Sequence, residues 1–491
     1  MAAQTRGGDT GRSDHNGLIM VLAFGGIVVS LSQTLVIPLL GMLPAILGTS
    51  AANAAWVVTV TLLAGAVGGP VMGRLGDLYP KKYVLVGGTA VMVVGSVLCA
   101  LAGSLWPMLV GRALQGIGIG VIPIGIATMR ETLPVARLGP AISLMSSSLG
   151  VGGALGLPAA AALAQYGDWQ WMFWGSALIG LAIIALMALK LRVGPVGKPD
   201  GSLDVVGAFG LAVALITLLL GVSKGADWGW ASSTTITMFA VAAVAFPAWG
   251  WWVLRHRSPI VDLRVSARRP VLVTNIATVL VGMGMYAQML ILPQVLQLPV
   301  ETGHGLGQSM VAMGLWTAPG GLAMMAVAPL SGRLIVTRGP KFTLVLGALV
   351  IATGYVATIF LMGSTWGIMI AGILTNGGVG IAYGAMPALI MASAPSSEMG
   401  SANSVNALMR SIGTTTSAAM VGLVLTQMSA DYEGLFVPTE AGFRVGLLLG
   451  CGVALLAAAV AATIPPPWKD PSESPDPADP VRPDEPAPRT A

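Results

Sequence analysis

Long apolar runs, parted by short connections rich in Gly, Pro and charge, set the pattern of this chain. Crossing about 30 Å of hydrocarbon takes roughly 20 apolar residues at the helical rise. Fourteen runs reach that length, near 18–42, 54–76, 83–103, 107–129, 140–163, 171–191, 205–223, 233–254, 271–296, 308–332, 342–363, 367–392, 402–427 and 442–464. A helix on a water-soluble core keeps one polar face, and these runs have none. The pattern predicts an all-α polytopic membrane protein of fourteen transmembrane helices. The first run exceeds the apolar stretch of a signal peptide and no small-residue cleavage site follows it, so it is expected to remain as a span.

Composition agrees. Of 491 residues only 9% are charged and 55% are hydrophobic, where an ordinary soluble domain is about a quarter charged. Too few charges are present to coat a water-facing surface of this size. A cytosolic enzyme, a nucleic-acid binder and a disordered scaffold are thereby excluded. Cys99 and Cys451 lie inside apolar runs and read as small buried hydrophobes, so neither a disulfide framework nor a metal site is expected.

Charge changes the picture through its placement. Positive residues favour the cytoplasmic ends of spans. With the N-terminus inside, 21 of the 25 Lys and Arg fall in cytoplasmic connections or tails; Lys224 and Arg444 fall outside, and Arg112 and Arg410 lie within spans. Asp168, Asp227, Glu301, Asp431, Glu433 and Glu440 map to the outer side, and no acid is left deep in a span. Both termini are expected in the cytoplasm and the chain in the cell (plasma or inner) membrane. The stretch 465–491, Pro-rich with six acids, cannot bury a core and is expected to be a disordered cytoplasmic tail.

An internal repeat organises the spans. Gly73-Arg74-Leu75, Lys82, Leu85-Val86 and Gly88 recur as Gly332-Arg333-Leu334, Lys341, Leu344-Val345 and Gly347, at a constant offset of 259. Each copy follows the second span of a six-span half. The predicted organisation is therefore a cytoplasmic segment 1–17, an N-terminal half 18–192, a loop and two inserted helices 193–269, and a C-terminal half 270–464 before the tail.

At four places the residues carry a resemblance. Gly73-Arg74-Leu75-Gly76-Asp77-Leu78-Tyr79-Pro80-Lys81-Lys82 resembles the loop 2–3 signature G-x-L-x-D-R-x-G-R-K of the major facilitator superfamily, departing at Leu78 and Pro80. Arg112-Ala113-Leu114-Gln115-Gly116-Ile117-Gly118 is similar to its fourth-helix motif, with Met108 in place of the leading Leu. Gly153 through Ala162, containing Gly156 and Pro158, resembles the antiporter signature of the fifth helix, and Trp169-Gln170-Trp171-Met172-Phe173 resembles the start of the sixth. With the inserted pair, the chain resembles the fourteen-helix drug:proton antiporter family. The resemblance implies two six-helix pseudo-repeats and a two-helix insert. It implies a cytoplasmic gate at Gly73, Asp77, Arg130, Gly332 and Arg333, latched by the Asp on nearby helix ends or an Arg, with Asp77 and Arg130 as the candidate pair. It also implies a hinge at Gly153, Gly156 and Pro158, and coupling to the proton motive force. The first helix departs from the family: Leu31-Ser32-Gln33-Thr34 stands where L-D-x-T is usual, so the membrane acid expected there is missing.

These features predict a secondary transporter exporting hydrophobic or amphipathic small molecules, by proton antiport with rocking of the two halves. A dedicated metabolite exporter or an importer of the same fold is the alternative. A membrane enzyme would need catalytic groups in sizeable loops and a sensor would need a folded soluble domain; both are disfavoured. Family geometry places spans 1, 4, 9 and 12 at the centre, with 2, 5, 10 and 13 flanking. The expected substrate cavity comprises Ser32, Gln33, Thr34, Arg112, Gln115, Gln288, Tyr286, Trp316 and Asn376, with Asn275 and Tyr383 as further polar positions. Large amides are costly to bury unpaired, which singles out Gln33, Gln115 and Gln288. Proton-coupling candidates are Asp77, Arg112, Glu131 and Arg410. Two cations and no fixed anion in the interior favour a neutral or anionic amphipath as substrate, since charge acts strongly at low dielectric. The expected partners are that small molecule and the lipid bilayer, without nucleic acid, metal or other cofactor, and the chain is expected to act as a monomer.

Overall fold

A computed structural model describes residues 6–36, 39, 42–54, 56–191, 203–256, 259–394, 399–432 and 435–465. Fourteen of its helices are long and apolar enough to cross a membrane. We label them α1 (Arg6–Thr34), α2 (Trp56–Leu78), α3 (Lys81–Ala100), α4 (Leu105–Thr132), α5 (Val135–Tyr166), α6 (Gln170–Lys190) and α7 (Val205–Trp228). The rest are α8 (Ser233–Arg255), α9 (Arg269–Gln297), α10 (Met310–Arg338), α11 (Pro340–Leu361), α12 (Thr365–Met391), α13 (Met399–Gln427) and α14 (Glu440–Ala462). Each coincides with a predicted run. Two differences concern the first: it ends at Thr34 instead of 42, ahead of Pro38 in the sequence, and its helix starts at Arg6, inside the segment expected to precede it. The stretch 466–491, expected to be a disordered tail, lies outside the described residues, as does most of the connection before α7.

Local chemistry explains where helices start. Asp204, Ser232, Ser309, Ser364 and Thr439 each accept a backbone N–H of the first turn, capping α7, α8, α10, α12 and α14. Such caps satisfy amides that have no partner within the helix. Pro340 opens α11 after Gly339, whose φ of 83° suits glycine. Two spans are interrupted midway. α4 tightens into a 3-10 turn at Gly118–Gly120, and α10 breaks at Val327 ahead of Pro329. A short antiparallel hairpin, β1 (Ser429–Tyr432) with β2 (Leu435–Pro438), joins α13 to α14.

The same pairings recur in the two sets of six. α1 packs on α5 as α9 packs on α13; α2 on α4 as α10 on α12; α3 on α6 as α11 on α14. Two contacts dominate between the sets, α2 with α13 and α5 with α10, and α4 with α13 and α5 with α12 add to them; each pair also corresponds under the repeat. α7 and α8 pack on each other, and α7 lies across the α2–α13 contact. The chain is thus a polytopic helical bundle with a seam on either side of its centre.

Candidate functional site

One cavity of about 280 Å³ occupies the space between the two sets of helices. Its wall comes from α1, α2, α4 and α5 on one side and α9, α10, α12 and α13 on the other. These are the eight spans that the resemblance implied would line or flank the centre. Most of the wall is apolar, with Met285, Met289 and Met324 prominent; unbranched thioethers adapt to ligands of differing shape. Along α9 the lining residues Met285, Gln288, Met289 and Leu292 share one helical face at i, i+3, i+4 and i+7. That spacing is visible in the sequence. The methionines are the main lining residues that polarity alone passes over.

Of the expected cavity residues, Gln33, Thr34, Tyr286, Gln288, Trp316 and Asn376 line this space, as do Tyr383 and Arg410. Gln288 is 2% exposed; its Nε2 donates to Thr358 Oγ1 at 3.1 Å, while its Oε1 has no hydrogen-bond partner. Gln33 Nε2 is likewise buried without a partner. Trp316 Nε1 donates to Gln308 Oε1 at 3.1 Å, and Asn376 Nδ2 donates to Gly372 O at 2.9 Å. Burying an amide atom unpaired costs free energy, so the two glutamines mark where a bound molecule could hydrogen-bond.

Ser32, Arg112 and Gln115 are placed elsewhere. Arg112, 1% exposed, donates from Nη1 to Ser32 O and to Gln115 Oε1, both at 2.6 Å, and from Nε to Val57 O at 3.2 Å. Gln115 Nε2 donates to Ser96 Oγ at 2.8 Å, and Ser32 Oγ meets Ser176 Oγ at 2.9 Å. This knot ties α1, α2, α3, α4 and α6 together behind the cavity wall. Carbonyl oxygens of packed helices are what a membrane-embedded cation finds when no carboxylate is near. Arg112 therefore helps hold five of the first six helices to one another and does not face the cavity. Asn275 also packs away from it, accepting from Asn406 Nδ2 at 3.0 Å.

The face that carries the chain termini is closed. Asp77, at the end of α2, accepts the backbone N–H groups of Gly400 and Ser401, each at 2.8 Å. A carboxylate there meets the unpaired amides and the positive end of the helix dipole of α13. Asp77 does not pair with Arg130, as the resemblance implied. Arg130 instead donates to Met391 O at the end of α12, a second bond between the two sets of helices. Glu131 pairs with Lys81 at 2.7 Å. Gly73 lies so close to α13 that a Cβ would come within 2.7 Å of Gly400 O, and a Cβ on Gly332 would meet Pro140 Cα at 2.5 Å. Arg333 is exposed. Ser143 and Ser331, 3.3 Å apart, complete the closure.

The hinge residues divide. Gly156 abuts Thr34 of α1, and Pro158 lies against Gly314 of α10, so α5 is held closely between two neighbours. Gly153 has no heavy atom within 4 Å of where a Cβ would stand, and it lines the cavity. Its missing side chain widens the site.

The comparisons with known proteins fit this architecture. The chain matches the Major Facilitator Superfamily over residues 22–418, and again over 274–488. An uncharacterized MFS-type transporter of Mycobacterium tuberculosis is 30% identical over 327 residues, 66% of this chain and 46% of that protein; the match thus spans about half of that relative's length. The tetracenomycin C resistance and export protein of Streptomyces glaucescens is 26% identical over 428 residues, covering 84% of this chain and 76% of that protein. Among solved structures, the proton:xylose symporter XylE superposes with a TM-score of 0.62 at 14% identity, covering 92% of this chain and 96% of its own, a likeness of fold. Repeated halves, a shared central cavity and a match over most of the length lead to one assignment: the chain belongs to the major facilitator superfamily.

Proposed function

We propose that the chain is a secondary transporter that exports hydrophobic and amphipathic small molecules by rocking its two six-helix halves about the central cavity. The observation that carries this reading is a largely apolar cavity between repeated halves, sealed on the face of the termini by Asp77, Gly73 and Gly332. The placement of Lys and Arg makes that face the cytoplasmic one and the cell membrane the site of action. The cavity lining runs toward the outer side, to Pro293, Trp316 and Ile368, while the inner side is closed; an exporter that opens outward from this arrangement releases its cargo there. The name of the tetracenomycin C export relative supports the direction. Alternation then requires breaking the Asp77 cap and separating Gly73 and Gly332 from their partners.

Proton antiport is the coupling that the family resemblance suggests. Arg410 is the one charged residue on the cavity wall among the described residues, so a proton carrier would have to be Asp77 or Glu131 at the closed face. A neutral or anionic cargo fits that wall better than a cation. The test is transport by the purified chain in liposomes, with a panel of lipophilic fluorescent probes. Saturable efflux abolished by an Asp77→Asn, Gly332→Leu double variant is expected; probe movement no faster than in protein-free vesicles would overturn the reading.

A further inference from the structure

Arg410 sits eleven residues into α13, about 16 Å from the start of the helix at the usual rise. That is close to the middle of a 30 Å hydrocarbon layer. Behind it α9 and α13 touch through backbone: a Cβ on Gly282 would lie 2.7 Å from Arg410 O and 3.4 Å from its Cα. The side chain leaves along this contact, its Cγ also 3.4 Å from that point, and reaches the cavity, where its guanidinium carbon stands 4.9 Å from the ring centre of Tyr383. Tyr383 is 1% exposed and its hydroxyl donates to Met285 Sδ at 2.8 Å, so the ring under the cation is fixed.

A ring face steadies a cation but accepts none of its five N–H groups in their own plane. Among the described residues no carboxylate lies within ion-pair distance of Arg410, and no carbonyl or hydroxyl accepts from it. Arg112 shows the contrast: the same side chain, deeper in protein, meets two carbonyls and an amide oxygen. A guanidinium held in place at mid-membrane with its donors unused is a fork shaped for a planar, two-oxygen anion. The unpartnered Gln288 Oε1 and Gln33 Nε2 on the same wall add one acceptor and one donor for the remainder of the molecule.

We propose that Arg410 binds the acid group of the cargo, so that the transported molecule is an amphipathic organic acid carried as its anion and driven outward by the membrane potential. The inference rests on the export reading above and deepens it. Charge balances without a second ion. The empty cavity carries one positive charge and the loaded cavity none, so the loaded halves cross the field neutral. The empty cavity returns its cation toward the negative interior. One negative charge leaves per cycle, down the electrical gradient, and each 59 mV or so supports about a tenfold concentration ratio.

Liposomes containing the full chain separate the possibilities, with a pyrenyl carboxylate, its neutral amide and its ammonium analogue as probes. The carboxylate is expected to bind about tenfold or more tightly than the amide. Arg410→Gln should remove that difference, and Arg410→Lys, which keeps the charge without the fork, should keep only part of it. With potassium and valinomycin setting the potential and no pH gradient, the carboxylate should accumulate on the positive side. Equal binding of carboxylate and amide in the unaltered chain, or preference for the ammonium, would overturn the proposal while leaving export intact. So would accumulation that follows a pH gradient and ignores the potential. Failure of all three probes to bind or move would overturn the export reading itself.

Discussion

The two seams between the halves, α2 against α13 and α5 against α10, begin from the same repeated sequence and close in different ways. Asp77 and Val336 occupy the same place in the repeat, 259 residues apart. Asp77 faces Gly400 as Val336 faces Gly139. On the first seam the carboxylate takes the amides of Gly400 and Ser401. On the second the corresponding position after Gly139 is Pro140, which has no N–H to give, and α5 has already begun at Val135. The second seam relies on closeness instead. Gly314 meets Pro158, Gly150 meets Met324 and Gly332 meets Pro140, most of the length of the helix pair. The first seam is also covered by α7, whose Leu211 and Leu215 cluster with Leu63 and Ala66 of α2 and with Val405 and Leu408 of α13. In a bilayer, where lipid is as apolar as leucine, small residues and hydrogen bonds are the available adhesives. One seam uses mainly the second and the other mainly the first.

The largest way to break this comparison is Gly332→Ala. The new methyl would meet Pro140 Cα and N at 2.5 and 2.6 Å, backbone atoms that cannot turn aside. Overpacking of this kind costs about 2 kcal/mol, which favours opening of the closed face by more than about tenfold. A reporter is at hand in Ser143→Cys, buried at this seam, with native Cys99 and Cys451 both buried. Its labelling by a membrane-impermeant maleimide should rise by that factor; unchanged labelling would show that the α5–α10 contact is not part of the seal.

Asp77→Asn comes next. It removes the charge from the cap and presents an N–H to an amide that needs an acceptor, a loss of about 1 kcal/mol. Labelling of Ser404→Cys, on α13 against Gly73, should rise roughly fivefold. If the halves rock as bodies, as proposed, Ser143→Cys on the far seam should rise by the same factor. A rise at Ser404→Cys alone would mean that the seams open independently. Ser331→Ala is smaller. It deletes the bond from Ser331 Oγ to Ile381 O at 3.0 Å and the contact with Ser143, worth up to about 1 kcal/mol, read in the same labelling assay.

How much of this was legible in the sequence depends on the range of the interaction. Spans follow from local hydropathy, which the membrane enforces, and all fourteen apolar runs are helices. The lining of the cavity was half legible. Gln33, Gln288 and Asn376 face it, but Arg112 and Gln115, equally polar and equally deep, turn inward to Ser32, Ser96 and Val57. Which way a polar side chain points is decided by the helix beside it, and one sequence does not say which helix that is. The Asp77 latch shows the same limit. Its motif is local, but its partner is 323 residues away and is a pair of backbone amides, which no residue type announces.

The smallest effect tests the comparison most directly. If an acid at this repeat position were enough to latch a seam, Val336→Asp would give α5–α10 a second cap and hold the face of the termini shut. The geometry says otherwise. Gly139 lies inside α5, with its N–H committed to the helix, and Pro140 has none. Val336 is 59% exposed, so a carboxylate there would be solvated and neither gain nor lose much, within about 0.5 kcal/mol. Labelling of Ser143→Cys should stay within roughly twofold of its starting level. A marked fall would show that the acid alone makes the latch and that the amides of α13 are incidental. No change, beside a fivefold rise for Asp77→Asn, would locate the latch in the helix start, which the repeat supplied on one side only.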